Sequence, residues 1–121
     1  MQVPFRIKIL DWKDGFAKTF AITREFPRPE GIYFVCSEEP LGIKSLSEVE
    51  EEPTDEFVRL IKALTEIPGI ERINLGCREV KIVIAKAYDW EEDGIESKII
   101  KTLEQFFGEK AQVVRSHKLA G

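Results

Sequence analysis

Phe5-Arg6-Ile7-Lys8-Ile9 alternates apolar and basic positions with a period of two. That period predicts a strand with Phe5, Ile7 and Ile9 facing a core. Asp11-Trp12-Lys13-Asp14-Gly15 supplies turn residues, and Lys18 to Thr23 reads as the return strand with Phe20 and Ile22 inward. The pair predicts an N-terminal hairpin. Pro27, Pro29 and Gly31 then break the pattern. Ile32-Tyr33-Phe34-Val35-Cys36 follows as a near-continuous apolar run, which points to burial on both faces or a place near the middle of a sheet. The residues from Ser37 to Pro53 include Pro40, Gly42 and the acidic run Glu48-Val49-Glu50-Glu51-Glu52, and read as a long surface connection.

The period then changes from two to 3.6. Phe57, Leu60, Ile61 and Leu64 fall on one helical face. Thr54 can cap this helix, and Asp55 and Glu56 sit where the helix dipole favours negative charge. Ile67 precedes Pro68 and is pushed out of the helical region, and Gly69 can take the positive φ that reverses the chain. The predicted helix runs from about Asp55 to Glu66. Ile70, Ile73 and Leu75 build a strand, Gly76-Cys77-Arg78-Glu79 turns it, and Val80, Ile82 and Ile84 return it. Asp89 is expected to cap the last helix, with Glu92 completing a capping box. Ile95, Ile99, Leu103 and Phe106 form its stripe, Gly94 costs it about 1 kcal/mol relative to alanine, and Gly108 ends it.

The element order β-β-β-α-β-β-α predicts an α+β fold: a two-layer sandwich in which a mainly antiparallel sheet carries both helices on one face. One domain over 1–108 is expected, followed by a polar tail over 109–121 with a possible short strand at Gln112-Val113-Val114.

Composition narrows the function. The 121 residues carry a net charge of −4 and no Lys/Arg run, so a nucleic-acid-binding role is not expected, because phosphate binding needs a basic face. No basic-then-apolar leader is present, and no apolar run approaches the ~18 residues that would span a bilayer, so a cytoplasmic, non-membrane protein is expected. Cys36 and Cys77 are then reduced thiols. Without a Cys-x-x-Cys or Cys/His cluster they support neither a structural zinc site nor a dithiol redox centre.

Each chemical candidate has two readings. Cys77, at a hairpin tip, is a tolerated turn residue or a metal or cluster ligand shared with a second copy, its thiolate favoured by Arg78. Cys36 reads as a small buried core residue. His117 lies in the expected tail, so a Cys/His pair would have to join the sheet to a mobile end. Trp12 is an exposed aromatic anchor for a partner or folds back on the sheet. Trp90 reads as a lid on the core. The acidic run from Glu48 to Glu52 binds a cation or basic surface, or is simply a solvated loop. No phosphate-cradling glycine loop and no Ser/His/Asp arrangement occurs.

Glu66-Ile67-Pro68-Gly69-Ile70-Glu71-Arg72-Ile73, Gly76, Val80-Lys81-Ile82-Val83-Ile84, Asp89-Trp90 and Phe106-Phe107 resemble the N-terminal domain of Nfu/NifU-type iron–sulfur cluster assembly proteins. Lys18 and Phe20 resemble that family's second strand. The likeness covers about Lys18 to Phe107, and its specific part is Glu66 to Trp90. The turn from Asp11 to Gly15 departs from the family's Thr-Pro-Asn-Pro-Asn type, and the segment from Pro27 to Pro53 is extended. The cluster-binding Cys-x-x-Cys of larger members, carried on a separate C-terminal domain, is missing. The resemblance therefore implies a non-enzymatic accessory domain that binds a protein partner of iron–sulfur assembly. Trp12, Gly76 and Arg78 are the candidate partner contacts. No cofactor of its own is expected, and iron or a cluster enters only through a partner or through Cys77 in a dimer. A monomer or weak homodimer is expected.

Overall fold

The computed structural model describes residues 3–26, 33–36 and 55–119. Its elements are β1 (Arg6–Asp11), β2 (Ala17–Ile22), β3 (Tyr33–Cys36), α1 (Asp55–Thr65), β4 (Ile70–Leu75), β5 (Glu79–Ile84), α2 (Ile95–Phe107) and β6 (Gln112–Arg115). The Ser37–Pro53 connection, the Thr54 cap, and the side chains of Cys36 and Phe57 lie outside the described residues.

The strands form one sheet in the order β3-β4-β5-β2-β1-β6. Two antiparallel hairpins, β1-β2 and β4-β5, lie side by side and join through antiparallel β2-β5 pairing. Ile9 stands opposite Phe20, Phe20 opposite Val80, and Val80 opposite Leu75, so one apolar row crosses four strands. Ile7 and Ile22 extend it on one side, and Ile82, Ile73 and Ile84 on the other. Leu60, Ile61 and Leu64 of α1 and Ile95, Ile99 and Leu103 of α2 join those residues in a single buried cluster. Both helices therefore cover the same face of the sheet, and the molecule is an α+β sandwich of two layers.

Three expectations are corrected. β3 is an outer strand among the described residues, paired only to β4, rather than a central one. β2 and β4 flank β5, and β3 takes the far side of β4. Asp89 does not cap α2. Its carboxylate accepts from the Glu91 and Glu92 N–H groups at 2.9 and 2.8 Å, closing a separate turn. The return bond comes from Asp93, whose Oδ2 accepts the Asp89 N–H at 2.7 Å. Gly94 is not inside α2 but is its N-cap, at φ 64°. That left-handed conformation turns the chain from the Asp89 turn into the helix and suits glycine.

The residues after Gly108 are not all tail. Gln112–Arg115 pairs in parallel with β1, Arg6 opposite Gln112 and Ile9 opposite Arg115. The short strand anticipated at Gln112-Val113-Val114 is present and extends to Arg115.

Candidate functional site

Alternation along the strands leaves one sheet face without helices among the described residues. Leu10, Thr19, Lys81 and Asn74 stand in one row across it. Lys8, Ala21 and Glu79 form the next row, with Val114 beside Lys8 on β6. Ala17, Val83 and Arg72 form the row on the other side. The strand β2 presents Ala17, Thr19 and Ala21 here, and of these Ala17 and Thr19 are buried. Arg6 and Lys8 stand on β1 to one side of β2, and Lys81 on β5 and Arg72 on β4 to the other. A register shift between Ile70 and Arg72 marks a bulge that holds Glu71.

Trp12 covers the middle of this β2 row. It follows Asp11 at the end of β1 and folds back on this face. Its indole N–H donates to Thr19 Oγ1 at 2.9 Å, leaving Thr19 only 8% exposed. Lys81 Nζ sits 3.7 Å from the Trp12 ring centroid. A cation over an indole face is worth about 0.5–1 kcal/mol where exposed, so the lysine pins the ring in place.

On the helix side of the same sheet end lies an ionic clasp. Lys18 Nζ reaches Asp11 Oδ1 at 3.0 Å and Glu96 Oε1 at 2.8 Å. Arg115 donates from Nη1 to Glu96 Oε1 at 2.9 Å and from Nη2 to Glu96 Oε2. Burial pushes the Glu96 carboxyl up, but the hydrogen bonds and charges of Arg115 and Lys18 more than offset it, holding it below its ordinary value. Hydrogen bonding to Glu96 in turn raises Arg115. Lys18 also lies 5.3 Å from the Trp90 ring centroid. Trp90 is 7% exposed, packs on Phe20, and donates to the Gly15 carbonyl at 3.2 Å, as a core lid would. A shallow cleft of about 400 Å³ opens beside these groups, lined by Asp11, Trp12, Lys18, Asp89, Trp90 and Glu91.

The Gly76–Glu79 turn lies at the opposite end of the sheet. The Gly76 N–H donates to the Glu79 carbonyl at 2.8 Å. The chain leaving β2 ties the turn down: the Ile22 N–H donates to the Arg78 carbonyl and the Phe26 N–H to the Cys77 carbonyl, each at 2.8 Å. Cys77 is exposed, and Arg78 reaches Glu25 at 3.5 Å. The structure therefore gathers Gly76, Cys77 and Arg78 at one tip and puts Trp12 at the other end. His117 follows β6 on the Trp12 side, since Ser116 N–H donates to the Ile9 carbonyl, and it is remote from Cys77.

Sequence reasoning missed Lys18, Glu96 and Arg115 as a unit, and Lys81 as the partner of Trp12. Among the described residues no group of three or more His, Cys, Asp or Glu side chains is placed to hold a metal ion. No helix among them is long and apolar enough to cross a membrane. Compared with known proteins, the chain matches no family model, no curated protein and no solved structure.

Proposed function

We propose that this chain is a non-enzymatic, partner-binding domain of the cytoplasm, associated with iron–sulfur cluster assembly. The observation that supports it best is that the stretch carrying the family likeness is also the spine of the fold. Residues 66–90 end α1, reverse at Gly69, form the whole β4-β5 hairpin and lead through the Asp89 turn towards α2. The sheet face opposite the described helices supports protein binding, since it offers an anchored indole rather than an enclosed pocket. Its residues hold and orient a partner; none of them has to move a proton or attack a bond.

The exposure of Cys77 at the tip favours one other reading, a metal or cluster site shared between two copies of the chain. Anaerobic purification with an absorbance scan and iron analysis separates the two. The binding-domain reading expects a colourless protein, and capture from the native host that recovers cluster-assembly proteins. A brown protein with stoichiometric iron, lost in Cys77→Ser, would replace it with the shared-site reading.

A further inference from the structure

We infer that the outer edge of β6 is a self-pairing surface, on which a second copy of this chain docks strand to strand, antiparallel, with Val113 opposite Val113. β6 ends the sheet among the described residues. All of its residues are exposed, Val113 by 43% and Val114 by 46%. Val3, just before β1, and Leu119, just after β6, are each 59% exposed. Of the five large apolar side chains exposed among the described residues, four therefore lie on or beside these two neighbouring strands. Soluble proteins commonly guard a strand edge with an outward charge. The one charged side chain of β6, Arg115, is turned in to Glu96 instead, so valines occupy the middle of the edge.

The backbone limits how a second strand joins. The Gln112 and Ser116 N–H groups donate to the Phe5 and Ile9 carbonyls, each at 2.9 Å. Alternate residues of a parallel strand bond to alternate sides, so the N–H and C=O groups of Val113 and Arg115 face the outer edge. The Ala111 carbonyl is in line with them, while its N–H is taken by Glu104 Oε2 at 2.8 Å. Two antiparallel registers set outward groups against outward groups. One places Val113 opposite Val113, Arg115 opposite Ala111, and Glu109 opposite His117. The other places Val114 opposite Val114 and sets Lys110 against Lys118 twice over. Like charges directly opposite are destabilising, so charge selects the first. Val113 lies on the same face as Ile7, so this register keeps the helices of both copies on one side of a continuous sheet. It also brings Val3 of one copy and Leu119 of the other to the same end. An unrelated strand would use the same backbone groups without that side-chain match. So short a contact falls below the ~1,000 Å² of a stable interface, and the pair is transient. The inference is independent of the reading above: Cys77 sits on the β4-β5 turn, and β2 and β1 separate that hairpin from β6.

Sedimentation and amide NMR of the whole chain from about 0.02 to about 2 mM test it, a range suited to millimolar dissociation constants. Wild type should self-associate, with concentration-dependent shifts at the Val113 and Arg115 amides. Val113→Pro removes only an outward N–H, which edge strands tolerate, and should stay monomeric. Val113→Lys and Val113→Glu should each be monomeric, and their equimolar mixture should pair about tenfold more tightly than either alone. The same mixture made at Val114 should recover nothing, because Val114 faces Gln112 in this register. Wild-type β1 amide shifts in each variant show that β6 is in place, and the wild-type dilution series stands by itself should a variant loosen the strand. The inference is overturned if wild type sediments as a single monomer throughout, or if the Val113 mixture pairs no better than its components. It is equally overturned if the Val114 mixture recovers pairing instead, or if association is lost in Cys77→Ser or shifts the Cys77 turn rather than β6. None of these results decides the iron content or the pull-down, so the two readings fail separately.

Discussion

Gly69 carries two constraints at once. Its φ is +97°, and a Cβ placed on it would lie 2.7 Å from the Tyr88 ring and 2.9 Å from Ile95 Cδ1. Its carbonyl also accepts the Ala85 N–H at 2.8 Å, so the backbone cannot swing away. Backbone strain and overpacking each cost about 1–3 kcal/mol, so Gly69→Ala should lose about 2–4 kcal/mol in urea unfolding. Gly94 has a similar positive φ but open space around the missing Cβ, and Gly94→Ala should lose only about 1 kcal/mol. Equal losses at the two sites would show that the Tyr88 contact contributes nothing. Gly69 was visible as a turn residue in the chain, whereas Gly94 reads from sequence as part of the helix that it in fact caps. The Tyr88 ring was not visible, because nothing local brings a residue 19 positions on to that spot.

Elements separate what the chain discloses from what it hides. The alternation in β1, β2 and β5 and the stripe of α2 were legible, because each buries one face against a shared core. The Asp89 cap was misread because an Asp at a turn serves a helix or an isolated turn equally well, and Gly94 decides between them only through its φ. The clasp was not legible at all: Lys18 and Glu96 are 78 residues apart, and only the packing of α2 against β2 joins them. Glu96 is held below its ordinary value of 4.5 in the folded chain. Its contribution to stability is therefore complete above that value and disappears as pH falls through its folded value. Glu96→Gln should flatten acid unfolding in that range. At neutral pH it should lose on the order of 2 kcal/mol, because Lys18 and Arg115 keep their charges without the carboxylate. Amide exchange at Val113 to Arg115 should quicken in the same variant. Unchanged exchange would mean that β6 is held by its backbone bonds to β1 alone.

At the scale of the whole molecule, one buried cluster joins both hairpins and both helices. Trp90 reports on that cluster, while Trp12 reports on the opposite face of the sheet. If the layers unfold as one, Trp12→Phe and Trp90→Phe proteins should each show fluorescence and far-ultraviolet dichroism curves with coincident midpoints. An early change confined to Trp12 would show the open face loosening first. The placing of β6 has a further effect, felt while the protein is being made. β1 takes its outer neighbour from β6, so every residue between the two must be synthesised before that neighbour arrives. Through that interval the nascent chain carries a bare backbone edge, open to stray pairing with other unfinished chains. Arg6 and Lys8, whose like charges repel a second copy of the same strand, are its guard until residue 115 emerges.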